Sequence, residues 1–218
     1  MPRADQTPAG WTIDDEGYAW DVFLSYPSAV EKTRVFTRKV LAPLLARELE
    51  AQLGRRRLAL DAEAIEAGEL WPDRLQQMHL RARVFVSVLC WPYFTRSGWC
   101  CAEWHSAVER EAQTPERTHP LLFPLRLIDL DEDSIERLGQ PWRDQVASRK
   151  PLDLHEWANV VNPLADNDRS HALRDTISDF VERRLVPAIE RAPAWRPDFP
   201  LLPAGPARPA PAPFDPRF

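Results

Sequence analysis

The sequence predicts an α/β fold: a flavodoxin-like, three-layer arrangement with a five-stranded parallel sheet in the order 2-1-3-4-5, followed by a proline-rich tail. Three observations predict it. Short apolar runs alternate with amphipathic helical stretches between residues 19 and 191. The strongest of those runs are apolar on both faces, as strands covered by helices on each side must be. Strands separated by helices form parallel, right-handed crossovers, and 2-1-3-4-5 is a common order for a sheet of this size.

The elements follow in order. Ala19–Tyr26 (AWDVFLSY) is apolar and aromatic with one charge, and reads as the first strand. Ser28 with Glu31 three residues on predicts a capping box. Phe36, Val40, Leu44, Leu45 and Leu49 then keep helical spacing up to Gly54, with Pro43 predicting a kink or two segments. Arg57–Leu60 is a short strand, and 61–70 (DAEAIEAGEL) is an acidic loop with Gly68 as its turn residue. Trp71–Ala82 reads as a helix, with Pro72 tolerated in its first turn. Val84–Leu89 (VFVSVL) is the clearest strand. Trp99–Glu111 reads as helix, Leu121–Leu127 as strand, Ser134–Leu138 as a short helix and Pro151–His155 as a last strand. The closing helix, Arg169–Glu190, carries Leu173, Ile177, Phe180, Val181, Leu185 and Ile189 on one stripe.

The domain organisation follows from composition. Residues 1–17 read as an N-terminal extension and 18–191 as the domain. Residues 192–218 hold nine prolines in 27 residues and predict an extended or disordered tail. Its aromatic residues Trp195, Phe199, Phe214 and Phe218 make docking on the domain or on a partner a second expectation.

Composition narrows the function. The net charge of −5 argues against non-specific nucleic-acid binding. No apolar run approaches the ~18 residues of a membrane span, and the first ten residues, MPRADQTPAG, lack the apolar core of a signal peptide. The three cysteines, Cys90, Cys100 and Cys101, do not form a disulfide framework. Together these predict a cytoplasmic protein.

In open parallel sheets, ligands bind beyond the strand C-termini where the winding reverses, here between the first and third strands. The segment after the third strand, WPYFTRSGWCCAEW, is therefore where chemistry is expected. Trp99 and Glu103 are four residues apart and share one helix face. A carboxylate beside an indole suits a cationic, ribose-linked aromatic. The indole stacks on a pyridinium, and the carboxylate stabilises an oxocarbenium-like transition state. A nicotinamide leaving group departs neutral from a cation, so no general acid is required. The blander reading is a carboxylate favoured by the helix dipole and a packing tryptophan.

Other constellations are weaker. Cys100, Cys101 and His105 lack the spacing of a zinc site, so no metal is expected. Asp14, Asp15 and Asp61 lack the lysine that a phosphoacceptor pocket needs after the fourth strand. The glycines are isolated and form no phosphate loop. The acidic run Asp129–Asp133 reads as a solvated loop.

Three segments resemble Toll/interleukin-1 receptor (TIR) domains. YAWDVFLSY at 18–26 is similar to the family's first-strand box. LDAEAIEAGELWPDRL at 60–75 is similar to its second box and BB loop. Ser97–Glu103 in VFVSVLCWPYFTRSGWCCAEW (84–104) is similar to its S-x-W-C-x-x-E signature. The resemblance spans roughly residues 18–190 and implies the same sheet. It further implies the bacterial NAD+-cleaving type: hydrolysis or cyclisation at the nicotinamide–ribose bond, giving ADP-ribose or a cyclic form, in anti-phage or cell-suicide immunity. Glu103 falls on the catalytic glutamate and Trp99 on the nicotinamide-stacking aromatic. Tyr26, Ser28, Gly68 and Trp71 fall on pocket-lining positions. NAD+ is then the substrate and no cofactor is implied. Self-association through TIR–TIR contacts and a separate sensor or effector are the implied partners. Some relatives carry a cation just after the first-strand Ser-Tyr, where this chain has Pro27 and Ser28. Phosphate contacts would then come from backbone N–H groups near Ser28, or from Lys32 and Arg34. Two alternatives are a non-catalytic TIR adaptor and a nucleoside glycosyl-transfer enzyme.

Overall fold

A computed structural model describes residues 11–55, 57–60, 71–128 and 130–203, and no side chain of Trp71 or Pro72. Five strands form one sheet: β1 (Trp20–Ser25), β2 (Leu58–Leu60), β3 (Ala82–Leu89), β4 (Leu122–Arg126) and β5 (Leu152–Asp153). All pairs are parallel and the order is β2-β1-β3-β4-β5, as the alternating pattern predicts. β3 is buried at every residue, which explains its unbroken apolar sequence. In the register of β1 on β3, Ser25 lies opposite Ser87 at the C-terminal end.

The first helix, α1 (residues 31–53), begins as Glu31–Phe36, widens into a π-helical turn at Thr37–Leu41 and continues as Ala42–Leu53. The last, α7 (residues 168–190), does the same: Asp168–Phe180, a π-helical turn at Val181–Leu185, then Val186–Glu190. Each wide turn is followed within two residues by a proline, Pro43 or Pro187. A proline ring clashes with the carbonyl four residues back and leaves it without a donor. Widening the turn before the ring relieves both problems without breaking the helix, so the kink expected at Pro43 takes this form.

Between them lie α2 (Trp71–Leu80), α3 (Trp91–Thr95), α4 (Gly98–Gln113), α5 (Glu132–Arg137) and α6 (Trp142–Arg149). Three expectations need correction. The Ser28–Glu31 capping box does not form: Val30 is the N-cap, without a side-chain bond. A turn from Val30 N to Pro27 O (3.0 Å) carries Ser28 past the capping position and leaves it exposed. The acidic run is not merely solvated, because Asp131 caps α5 by accepting from Ser134 N at 2.8 Å. Finally, α3 and α6 arise where no helix was expected. Both have proline at their start, a position that costs a helix nothing. Among the described residues no helix is long and apolar enough to cross a membrane.

Residues 193–203 run as irregular chain against the N-terminal ends of β1 and β3. Trp195 stacks on the Arg81 guanidinium (3.6 Å) and donates to Leu80 O (3.2 Å). Tyr18 donates to Pro193 O (2.7 Å), and Ser106 of α4 donates to Pro200 O (3.0 Å). Phe199 and Leu202 are buried. The chain fits closely at Gly17 (φ +90°), where an added Cβ would stand 2.9 Å from Trp195 Cβ. On the N-terminal side Trp11 packs edge-on against Trp20. Asp14 is paired with Arg57 (2.7 Å) and Arg83 (2.8 Å) at this end of the sheet.

Candidate functional site

The C-terminal ends of β1 and β3 open into a cavity of about 280 Å³. One wall is the stretch after β1: Pro27, Ser28, Ala29 and Val30. The other is the α3–α4 turn: Pro92, Arg96, Ser97, Gly98 and Trp99. This is the winding reversal at which the sequence places the chemistry. Ser97 fixes the start of α4 by accepting from Cys100 N at 3.2 Å. The helix therefore presents Trp99 to the cavity in its first turn and Glu103 one turn further along the same face.

Glu103 is almost buried (6% exposed) and does not itself line the cavity. Its carboxylate reaches the end of β1, where Ser25 Oγ donates to Oε2 at 2.5 Å. Ser25 is also 2.7 Å from Tyr93 Oη, which lies 3.1 Å from Ser87 Oγ. Around the carboxylate, burial pushes the Tyr93 hydroxyl and the Cys100 thiol well above their ordinary ranges, and the negative charge of Glu103 adds to both shifts. Cys101 is raised to about 11 for the same two reasons. These thiols are therefore protonated, not nucleophilic, at neutral pH.

The other candidates are placed as follows. Tyr26 is buried in the core and does not line the cavity, while Ser28 does. Gly68 and the side chain of Trp71 lie outside the described residues. Lys32 and Arg34 are exposed on α1 and do not line the cavity. The cation that does is Arg96, whose side chain has no hydrogen-bond or ion-pair partner among the described residues. Sequence reasoning missed it by looking for a cation after the first strand, not across the crevice. The one available signal was its place next to the signature serine. His105 turns away from the cysteines to pair with Glu109 at 3.1 Å. Among the described residues no cluster is arranged to hold a metal ion. A larger cavity, about 500 Å³, lies farther along between α5 and α6. Its arginines are engaged with carboxylates, Arg126 with Asp153 (2.5 Å) and Arg143 with Asp144 (3.2 Å).

α4 is held from behind by His79 of α2, whose Nε2 lies 3.1 Å from Glu103 O. The ring is stacked on Phe85 at 4.4 Å and is fully buried. Burial, with the nearby Arg110 charge, lowers its pKa to about 3. It is thus neutral and donates to the carbonyl. The unfolded chain takes up this proton near pH 6.5 and the folded chain does not. Stability attributable to His79 is therefore complete above about pH 6.5 and falls as pH drops toward 3. Between pH 7.5 and 5.0 the wild type is expected to lose roughly 2 kcal/mol more than His79→Gln, as read by urea unfolding at the two pH values. Parallel curves would show that the ring is not held neutral.

The family model described as TIR domain matches residues 22–165. The chain belongs to the TIR-domain family. Its match runs from the third residue of β1 to the loop before α7. Among solved structures, the TIR domains of the activated Roq1 resistosome directly recognizing the pathogen effector XopQ are similar at 16% identity. That alignment covers 78% of this chain and 95% of that one, with a TM-score of 0.41. No curated protein matches the chain. In this TIR domain the Ser97–Glu103 signature spans the turn into α4 and its opening turns, so its serine, tryptophan and glutamate serve as cap, cavity wall and buried carboxylate.

Proposed function

We propose that this TIR domain cleaves NAD+ at the bond between nicotinamide and ribose. The observation that carries the reading is the pairing of Trp99 and Glu103 on one face of α4, at a crevice whose lining includes the Arg96 cation. In this reading the Trp99 indole stacks on the pyridinium ring. The C1′–N bond breaks with its electron pair left on nicotinamide, which departs neutral. The ionised Glu103 stabilises the positive charge that develops on the ribose. Water then forms the new bond to C1′ and sheds a proton, giving ADP-ribose. Attack by an atom of the same molecule instead gives a cyclic product. Arg96 faces the diphosphate, supplying from the α3–α4 turn the cation that is missing after Tyr26.

The wider setting follows the same reading: a cytoplasmic NAD+-consuming enzyme of bacterial anti-phage or cell-suicide immunity. It self-associates through TIR–TIR contacts and is triggered by, or signals to, a separate protein. The near-complete burial of Glu103 favours a second reading, a TIR adaptor that binds other TIR domains without turnover. Purified protein incubated with NAD+ at high protein concentration decides between them. Nicotinamide release, with the co-product mass separating hydrolysis from cyclisation, is the expected result. An unchanged NAD+ pool, together with concentration-dependent TIR–TIR association, would sink the enzyme reading.

A further inference from the structure

The carboxylate of Glu103 adjoins a buried chain of hydroxyls to which the cleavage steps above give no role. Ser25 Oγ stands between Glu103 Oε2 (2.5 Å) and Tyr93 Oη (2.7 Å). Tyr93 Oη stands in turn between Ser25 and Ser87 Oγ (3.1 Å). Ser25 and Ser87 come from opposed positions on β1 and β3, and Tyr93 from α3, so three elements meet in one chain that reaches the carboxylate through Ser25. All three hydroxyl residues are nearly inaccessible to water, so each must find its partners within the chain.

Each hydroxyl has a single proton to give. With Glu103 ionised, the Ser25 proton goes to the carboxylate, and Tyr93 must donate to Ser25. With Glu103 protonated, the carboxyl donates to Ser25, Ser25 to Tyr93, and Tyr93 to Ser87. Ser87 supplies an acceptor within reach of the tyrosine for that second state. Both protonation states therefore keep the Glu103–Ser25 and Ser25–Tyr93 bonds, and within this chain they differ by rotation of hydroxyl protons.

We propose that Ser25 is the positioning residue of Glu103, and that Ser25, Tyr93 and Ser87 form a reversible hydroxyl relay that holds the carboxylate in place through a change of its charge. The proposal rests on the NAD+ reading, which supplies the occasion. The water oxygen that bonds to C1′ loses a proton, Glu103 accepts it and later returns it to solvent. The relay reverses and reverses back, and nothing is oxidised or reduced.

The titratable groups that face Glu103 among the described residues are Tyr93 from α3, Cys100 and Cys101 from its own helix, and His79 from α2 at its backbone carbonyl. Tyr93 and the cysteines titrate high and His79 low, so between about pH 5 and 8 none of them changes charge.

The test is direct titration of Glu103 by carboxyl-carbon NMR on protein with isotope-labelled glutamate, assigned with Glu103→Gln. Ser25→Ala removes the charge-assisted donor, and Ser25→Cys replaces it with a poor one at similar size. Either variant is expected to raise the midpoint by about one pH unit, a tenfold change. Ser25→Thr, which keeps the hydroxyl, is expected to stay near the wild type. With NAD+, the acid limb of kcat/KM is expected to move up in step, with kcat down about tenfold and KM little changed. An unshifted midpoint in both Ser25→Ala and Ser25→Cys overturns the proposal, whatever happens to kcat. A shifted midpoint in a protein that releases no nicotinamide leaves the positioning role standing and removes the NAD+ reading instead.

Discussion

Glu103→Gln is expected to lower nicotinamide release from NAD+ by about a thousandfold or more. Glutamine has the shape of glutamate, and its carbonyl oxygen still accepts from Ser25, so packing at this almost buried position is kept. What is lost is the negative charge. At a site this dry a charge acts through a low effective dielectric and counts for far more than at the surface. The loss should fall on kcat, because the charge is needed only once the ribose becomes cationic. NAD+ binding by calorimetry and the thermal midpoint should both stay close to wild type. Residual turnover within tenfold of wild type would remove Glu103 from the chemistry.

The largest expected effect on stability is at Phe199. Its ring is 1% exposed and covers the Arg110 guanidinium at 4.3 Å. Arg110 is itself fully buried, and among the described residues no carboxylate pairs with it. Its partners are backbone carbonyls where α2 ends and β3 begins: Ala82 O (2.7 Å), Leu80 O (2.9 Å) and His79 O (3.4 Å). The face of Phe85 lies at 4.9 Å. Burial lowers the Arg110 pKa to about 10, so it still carries its charge at neutral pH. Phe199→Ala removes a large apolar side chain and half of the aromatic cover over a desolvated cation. The expected cost is roughly 3–5 kcal/mol by urea unfolding. Phe199→Leu, which refills most of the space, should cost far less. A Phe199→Ala loss below about 1 kcal/mol would mean that residues 193–203 leave the domain readily.

The sheet was legible because its signals are local and redundant. An apolar run such as Val84–Leu89, followed by a helix with caps and a stripe, admits few arrangements. The switch point followed from topology, and the shared face of Trp99 and Glu103 from their four-residue spacing. Less legible was whatever depends on contacts across the chain. Nothing around Phe199 announces that it will lie on a cation 89 positions earlier; proline density there argues for extended chain and says nothing of where it goes. Arg96 was missed for the same reason, since its relevance comes from facing Ser28 across a crevice. Nothing in the sequence links Ser25 or Tyr93 to Glu103, and only the fold brings Ser25 to the carboxylate and Tyr93 to Ser25.

α4 runs sixteen residues, a rod of about 24 Å. Glu103 rides on its second turn, while Ser106 and Arg110 are gripped by Pro200 and Phe199. Whatever tugs on the chain beyond Pro203 therefore tugs on the lever that aims the carboxylate. A load applied at that end would be felt at the crevice by direct mechanical transmission along one helix.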